Sequence, residues 1–311
     1  MKIIKKILII LVTIVGSVII LLRDDYIRLN ASYFINKSKY EEVFSVQGNT
    51  NKYVPQGLTY SNKYNVAMQT SYNSNHEVSM LYITDFSTGE LIKSLELRKE
   101  DGSNNTGHVG GITTDNNTVW ITNDYVVHEY SLYEIMSTEA NFVRSNKDTK
   151  LPIRGDFCYY GDHILWIGDF FLNPFYKVPD NNPLLFAYNT EIEYNYSEPK
   201  LIISLPKMVQ GMTILPDKRF VFTASFTNLV KSDLMIYSNI LETEQSTYNY
   251  NGKDIPYYKF DKNSEMEHIK LPPMAEGLFN IDNDLYILFE NSSDKYFYAL
   301  PKMKKIIKYH I

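Results

Sequence analysis

Five short stretches of this sequence share a glycine that follows a variable residue and precedes an apolar run. They are VPQGLTY at 54–60, HVGGITT at 108–114, IRGDFCY at 153–159, MVQGMTI at 208–214 and MAEGLFN at 274–280. The variable residues are Gln56, Gly110, Arg154, Gln210 and Glu276. Four of these five are polar: one carboxylate, one guanidinium and two amides. Together they could bind a polar ligand through hydrogen bonds, and Glu276 could exchange a proton with it.

Each glycine opens a pair of strands with the same plan. The glycines are Gly57, Gly111, Gly155, Gly211 and Gly277, at intervals of 54, 44, 56 and 66 residues. Turn-forming residues follow each apolar run, and a second strand-like run comes next, such as TVWITND at 118–124. This alternation predicts a β-hairpin. A hairpin unit that recurs at such intervals, in a chain rich in Tyr, Ile and Phe, is typical of propeller blades.

We therefore predict an all-β fold, a β-propeller of five blades. A sixth blade stays open as an alternative, because the long insertions could hide another four-stranded unit. EEVFSVQ at 41–47 precedes the first unit, and we expect it to pair with the last blade and close the ring. In that last blade, KYFYALP at 295–301 and KKIIKYHI at 304–311 predict the third and fourth strands.

The recurring glycines have a structural explanation. The first strand of each blade lines the narrow central channel, where glycine lets neighbouring backbones approach closely. The residue before each glycine then projects toward the axis or its mouth. In one interpretation these residues are structural: Arg154 pairs with Glu276 across the axis, and the glutamines hold ordered water. In the other, they form the floor of a ligand pocket.

In the second interpretation, the ends of the second strands supply the wall of the pocket. The residues at those ends are Thr70, Ser71, Asn123, Asp124, Asp169, Ser225, Glu290 and Asn291. Two long insertions, at 169–183 and 242–265, carry many aromatic residues and could cover one face of the ring.

Most recognisable catalytic and metal-binding motifs are absent from the sequence. It lacks HExxH, CxxC, Walker A and GxSxG patterns, and its six histidines have no metal-ligand spacing. No cofactor is predicted, apart from a calcium ion that oxygen atoms of Glu276, Asn123 and Asp169 could hold at the channel mouth. The single cysteine, Cys158, lies in a predicted strand and is interpreted as a buried hydrophobe. A net charge of -5 without a basic stripe argues against a nucleic-acid partner.

The N-terminus has the pattern of an uncleaved signal-anchor. Residues 7–22 carry no charge, and Lys2, Lys5 and Lys6 precede them, which favours a cytoplasmic N-terminus. The predicted organisation is a basic cytoplasmic tail at 1–6, a transmembrane signal-anchor helix at 7–25, a linker at 26–40 and the propeller at 41–311. The bilayer is then one partner, and the propeller lies outside the cell membrane. The alternative is secretion after signal cleavage.

The first stretch, VPQGLTY, also carries a resemblance to a known family. It resembles the opening of the first blade in plant-type and bacterial glutaminyl cyclases, which are five-bladed propellers, and Gln56 matches their glutamine. The next blade of that family opens with Glu-Gly-Ile, whose Glu is important for catalysis, whereas this chain has Gly110, Gly111 and Ile112 there. The family's later Trp-Gly and Asn-Glu-Leu-Glu signatures are missing. The chain also resembles uncharacterised membrane-anchored propellers of low-GC bacteria.

These observations favour a binding module for a peptide, a glycan or an envelope protein. The alternative is a propeller enzyme at the channel mouth, either a glutaminyl-cyclase-like cyclotransferase or a metal-assisted hydrolase, with Glu276 as the acid or base. A third reading is a structural assembly protein.

Overall fold

The computed structural model describes residues 4–17, 39–50, 52–170, 182–191, 196, 198–227, 230–243, 246–297, 299 and 301–311. Residues 4–17 form helix α1. Among the helices of these ranges, none is both long enough and apolar enough to cross a membrane. The second part of the predicted anchor and nearly all of the predicted linker lie outside the described residues.

The rest of the described chain is built from five β-sheets. Strand β1 (Tyr40–Ser45) precedes blade 1, which contains β2 (Tyr53–Ser61), β3 (Val66–Asn73), β4 (Met80–Asp85) and β5 (Leu91–Arg98). Blade 2 contains β6 (Gly111–Thr114), β7 (Thr118–Asn123), β8 (Val126–Ser131) and β10 (Lys147–Lys150), with helix α2 (Leu132–Ser137) and β9 (Phe142–Arg144) inserted before β10. Blade 3 contains β11 (Phe157–Gly161), β12 (Ile164–Gly168), β13 (Leu184–Asn189) and β14 (Leu201–Ser204). Blade 4 contains β15 (Val209–Ile214), β16 (Phe220–Ala224), β17 (Ser232–Tyr237) and β20 (Glu265–Leu271), and the hairpin of β18 (Ser246–Tyr250) and β19 (Lys253–Lys259) precedes β20. Blade 5 contains β21 (Ala275–Ile281), β22 (Asp284–Phe289) and β23 (Lys305–His310).

The five sheets form a closed ring. Their first strands, β2, β6, β11, β15 and β21, contact one another in that order, and β21 returns to β2. Strand β1 pairs antiparallel with β23, so the chain's N-terminal strand completes blade 5. The prediction of an all-β propeller with five blades is therefore confirmed, and so is closure of the ring by the segment before the first unit.

Blade 5 differs from its prediction in one respect. Its third strand is β23, its fourth is β1, and the segment between β22 and β23 contains short 3-10 turns at Glu290–Ser292 and Asp294–Tyr296. The strand predicted at 295–301 is therefore wrong. The Asn291 side chain stabilises these turns. It donates to the carbonyls of Pro273 and Pro301 at 3.0 Å each and accepts from the Met303 amide at 3.1 Å.

Two segments extend blades at their outer edges. Strand β9 pairs in parallel with β5 of blade 1, and β19 pairs in parallel with β14 of blade 3. The hairpin β18–β19, which forms most of the insertion at 242–265, therefore lies beside blade 3 and not over the channel. Most of the other insertion, residues 171–181, lies outside the described residues.

The core lies between the blades. Five apolar clusters fill the five interfaces, and the residues after Gly57, Gly111, Gly211 and Gly277 pack into four of them. Thus Leu58 packs between blades 5 and 1, and Met212 packs between blades 3 and 4 beside Phe220. Each blade therefore buries one sheet face against each neighbour, and the strands that line the channel are held from both sides.

The channel glycines are required by close backbone contacts. A Cβ atom at Gly277 would lie 2.4 Å from the Leu58 amide nitrogen of blade 1, and one at Gly111 would lie 2.5 Å from the Cys158 amide nitrogen of blade 3. Threonines on the second strands add bonds across the same interfaces. The Thr70 hydroxyl accepts from the Gly57 amide and donates to the Val109 carbonyl, at 3.0 and 2.8 Å. The predicted role is confirmed for Gly57, Gly111, Gly211 and Gly277.

In blade 3 the large and small residues of this contact are exchanged between the first and second strands. Its channel position is occupied by Phe157, which pairs with Gly168 of the second strand, whereas blade 2 pairs Gly111 with Thr122. A Cβ atom at Gly168 would lie 2.1 Å from the Phe157 ring, so the small residue has moved from the first strand to the second. The structural counterpart of the other channel glycines is therefore Phe157, and alignment of Gly155 with them is wrong by two residues.

Candidate functional site

The candidate site is the mouth of the channel where the inner strands begin. Register shifts between Pro55 and Leu58, between Val209 and Gly211, and between Ala275 and Leu278 mark β-bulges in three of the five blades. Bulges re-aim side chains and occur beside active sites. The bulges contain Gln56, Gln210 and Glu276.

The backbone that enters these bulges is unusual. Met208 and Met274 both have a φ of 66°, a left-handed conformation that side-chain-bearing residues seldom adopt. Each is held by the end of the second strand: the Ser225 amide donates to the Met208 carbonyl at 3.0 Å, and the Glu290 amide donates to the Met274 carbonyl at 2.9 Å. Ser225 and Glu290 are thereby placed beside the bulged residues of blades 4 and 5.

We call the carboxyl groups that converge here, Asp156, Asp169, Glu276 and Glu290, the acidic mouth. Glu276 is 3% exposed, and the Gln210 amide donates to its Oε1 at 3.1 Å. Burial raises the pKa of Glu276 well above its usual value, the nearby charges of Glu290 and Asp156 raise it further, and a hydrogen bond from Ser225 opposes them. Glu276 is therefore stabilised as the neutral acid.

Glu290 is the partner carboxyl of blade 5 and has more polar neighbours. The Tyr296 hydroxyl donates to its Oε1 at 2.7 Å. Burial raises the pKa of Glu290, whereas hydrogen bonding and the positive charge of Lys295 act in the opposite direction. Of this coupled pair, Glu276 keeps the proton more readily, because Glu290 has the donors and the cation that stabilise a carboxylate.

Blade 3 supplies the other two carboxyls. Asp156 accepts from Arg154 Nε at 2.9 Å and from the Phe170 amide at 2.8 Å, and burial raises its pKa. Asp169 is 2% exposed, and its Oδ1 has no hydrogen-bond partner within the described part of the chain. Burial and the charge of Asp156 raise the pKa of Asp169 to about 8, against a smaller opposing effect of Arg154.

The interpretation in which Arg154 pairs with Glu276 across the axis is wrong. Arg154 lies half-exposed at the rim, where its guanidinium contacts Asp156 at 2.9 Å and Asp124 at 3.4 Å. The reason is the two-residue offset in blade 3, which gives Asp156 the place that the sequence alignment assigns to Arg154. The acidic mouth consequently contains one more carboxylate than predicted.

Aromatic rings and one ammonium group complete the rim. The Tyr72 and His108 rings stack with centroids 4.3 Å apart. Lys295 Nζ donates to the Tyr72 hydroxyl at 2.8 Å and lies 5.2 Å from the Tyr72 ring centroid and 5.4 Å from that of Tyr296. Sequence reasoning missed these residues and Asp156. Alignment on the apolar run FCY, instead of on the glycine, could have found Asp156.

The remaining predicted residues divide into two groups. One group lies at the acidic mouth and consists of Gln56, Asp169, Gln210, Ser225, Glu276 and Glu290. Asp124 lies on the rim of this mouth. Asn291 holds the turn after β22, and Asn123 Oδ1 accepts from the His108 amide at 2.8 Å. Thr70 bonds across the interface between blades 1 and 2, and the Ser71 hydroxyl accepts from the Gln69 amide at 3.1 Å.

The structure gives no support to the candidate calcium site. In the ranges that the structure describes, no group of three or more His, Cys, Asp or Glu side chains is arranged to hold a metal ion. Of the candidate ligands Glu276, Asn123 and Asp169, Asn123 is engaged with the loop that carries His108.

Two solved structures with low sequence identity are similar to this chain. No protein-family model matches the chain, and no curated protein matches it. Among solved structures, glutaminyl cyclase from Myxococcus xanthus superposes with a TM-score of 0.47 at 6% identity over 87% of this chain and 94% of its own. The PQQ-bound aldose sugar dehydrogenase from Streptomyces coelicolor superposes with a TM-score of 0.48 at 12% identity, over 87% of this chain and 96% of its own. The order of the five sheets and the contacts of their first strands identify the chain as a five-bladed propeller.

Proposed function

We propose that the protein is a ligand-binding propeller whose site is the acidic mouth. Its ligand is a polar molecule, or the polar end of a peptide, glycan or envelope protein, that offers hydrogen-bond donors or positive charge. A site rich in carboxylate and amide oxygens favours such a partner.

One observation carries this proposal. Carboxyl groups from blades 3 and 5 and amides from blades 1 and 4 meet at a single end of the channel, where three inner strands are bulged. These three register shifts between first and second strands all lie at the same end, and bulges are over-represented beside active sites. Their common position supports a role for that end beyond packing.

The test is ligand binding by the full chain and by matched variants. Peptides, amino sugars and neutral glycans are screened by thermal shift against the native chain, Glu290→Gln and Asp282→Asn. Asp282 is an exposed residue of the turn after β21, remote from the acidic mouth, and serves as the control. We expect at least one ligand class to raise the melting temperature of the native chain and of Asp282→Asn but not of Glu290→Gln. Equal shifts in all three proteins would refute the proposed site.

A second candidate function is acid–base catalysis at the same mouth, and the pair Glu276 and Glu290 favours it. A buried neutral acid beside a hydrogen-bonded carboxylate can donate a proton to one atom of a substrate while accepting one from another. The reaction considered is cyclisation of an N-terminal glutamine, in which the α-amine attacks the side-chain amide carbon and ammonia leaves. Glu290 would take the amine proton, and Glu276 would give a proton to the leaving ammonia.

Ammonia release from a peptide with an N-terminal glutamine tests this candidate. Release by the native chain that falls at least a hundredfold in Glu276→Gln supports it. If the native chain releases no ammonia, the catalytic candidate fails, whereas the binding proposal is judged by the ligand screen.

We also propose that the propeller is held outside the cell membrane by the segment at 7–25. The uncharged run at 7–22 after three lysines supports this topology. Protease added to intact cells should then digest the propeller but leave a membrane-bound N-terminal fragment. Recovery of the propeller in the medium, without residues 1–25, would instead support secretion after cleavage.

A further inference from the structure

The acidic mouth already contains one ammonium group, and it comes from the protein itself. Lys295 is an exposed residue of the 3-10 turn Asp294–Tyr296. Its Nζ donates to the Tyr72 hydroxyl at 2.8 Å and lies 5.2 and 5.4 Å from the ring centroids of Tyr72 and Tyr296. The contact with Tyr72 is made through its hydroxyl, and the distance to Tyr296 is within the range of a cation–π contact, which favours a positively charged nitrogen over a neutral group.

The charge of the neighbouring carboxylate also favours an ammonium group at this position. The positive charge of Lys295 stabilises the Glu290 carboxylate, and the Tyr296 hydroxyl holds that carboxylate in place at 2.7 Å. Two tyrosine side chains thus contact this ammonium group, and the nearby Glu290 carboxylate adds the attraction of its negative charge. We call Tyr72, Tyr296 and Glu290 the ammonium cradle.

Beyond the cradle, the mouth has further acceptor capacity. Asp169 is 2% exposed and keeps Oδ1 without a hydrogen-bond partner in the described part of the chain. A buried polar atom without a partner is costly, so a ligand that donates to it gains free energy. The second cation of the rim, Arg154, is paired with Asp124 and Asp156.

We propose that the ligand of the acidic mouth carries an organic ammonium group, and that Lys295 occupies the ammonium cradle until this ligand displaces it. The inference rests on the proposed binding function, and it adds the chemical class of the ligand and the side chain that must move. Lys295 can leave because it is exposed and its stem has four rotatable bonds. A peptide amino terminus, a lysine side chain or a quaternary amine could each present the required group.

Competition between Lys295 and small ammonium probes tests the inference. Methylammonium and tetramethylammonium chloride are titrated by calorimetry into the full chain, with sodium chloride at the same concentration as the reference. We expect Lys295→Met to bind at least one probe about tenfold more tightly than the native chain, because the internal competitor is gone. Lys295→Arg retains a cation and is the matched control, and its affinity should stay near the native value.

A second variant tests the cradle directly. Glu290→Gln in the Lys295→Met background should reduce the gained affinity at least tenfold, and neutral tert-butyl alcohol should not bind either protein. Preference for methylammonium would indicate recognition through hydrogen bonds, as for a primary amine, and preference for tetramethylammonium would indicate recognition through the rings.

Three outcomes would overturn the inference. They are an affinity that Lys295→Met leaves unchanged, ammonium binding that survives Glu290→Gln, and tert-butyl alcohol binding as tightly as the ammonium probes. Its failure is distinguishable from that of the proposed function. A neutral glycan that binds the native chain but not Glu290→Gln, in the absence of ammonium binding, refutes the ammonium inference and retains the binding site.

Discussion

The two ends of the central channel are formed by the same inner strands and differ in chemistry. Where the strands begin, buried carboxyls and bulged backbone form the acidic mouth. Where they end, a cavity of about 160 Å³ is lined by uncharged side chains, including Thr59, Thr113, Thr213 and Asn280. There the Thr213 hydroxyl donates to Asn280 Oδ1, and Thr113 Oγ1 accepts from the Tyr160 amide at 2.8 Å. We call this end the hydroxyl mouth.

The difference indicates which end of this nearly symmetric fold carries a functional site. At the hydroxyl mouth, Thr213 bonds to Asn280 and Thr113 bonds to Tyr160, as is usual for buried polar groups. At the acidic mouth, Asp169 Oδ1 is left without a partner within the described residues, and several carboxyl groups are buried together. Stability alone does not explain such an arrangement, and perturbed carboxyls of this kind are typical of functional sites. The following experiments test the contrast, from the largest expected effect to the smallest.

The channel between the two mouths should be the least tolerant region. Gly277→Ala places a Cβ atom 2.4 Å from the Leu58 amide nitrogen, so we expect a loss of about 3 kcal/mol in the free energy of unfolding. Gly102→Ala is the control, because its Cβ would meet no atom within 4 Å and only its φ of +83° opposes it, at about 1 kcal/mol. Urea denaturation measures both, and equal losses would contradict the close approach of blades 5 and 1.

The acidic mouth should make stability fall as the pH rises. The pKa of Asp169 is raised from 3.8 to about 8, so its contribution to stability is fully present below the unfolded value and is lost as pH rises through the folded one. Each pKa unit corresponds to about 1.4 kcal/mol. Asp169→Asn should therefore be more stable than the native chain at pH 8, by about 2 kcal/mol or more, and similar to it near pH 4.

Denaturation at both pH values, with Asp282→Asn as the exposed control, measures this difference. A pH dependence that is the same in Asp169→Asn and in the native chain would show that Asp169 is ionised in the folded protein.

A substitution at the hydroxyl mouth should change the stability of the protein and leave ligand binding unchanged. Thr213→Val removes the hydrogen bond to Asn280, and we expect a loss of about 1 kcal/mol in the free energy of unfolding. Ligand affinity at the acidic mouth should stay unchanged, which calorimetry can verify. A marked loss of affinity would show that the two ends are coupled, and the contrast between them would then be incomplete.

The smallest effect is expected at Cys158, which lies between the two mouths. Burial raises the pKa of its thiol to about 12, so the reactive thiolate is scarce at neutral pH. A disulfide reagent at pH 7 should not modify the native chain and should modify it fully in denaturant. Rapid modification of the native chain would show that the channel opens to solvent.

The architecture was accessible from the sequence because its determinants are local. Hairpin turns and alternating apolar runs recur with each blade, and channel glycines recur in four of the five, because close packing around a common axis favours that pattern. The strand that closes the ring could also be predicted, because EEVFSVQ is the strand-like segment that remains after the repeats are assigned.

The chemistry of the mouth was decided only by the tertiary structure. In blade 3 the large residue, Phe157, lies on the first strand and the small residue, Gly168, lies on the second, which places Asp156 in the site. An alignment based on first-strand glycines cannot detect this change. Lys295 and Tyr296 reached the rim because Asn291 folds their segment into turns. The perturbed carboxyls follow from burial and from one another's charges, which depend on distances between blades and not on any run of residues along the chain.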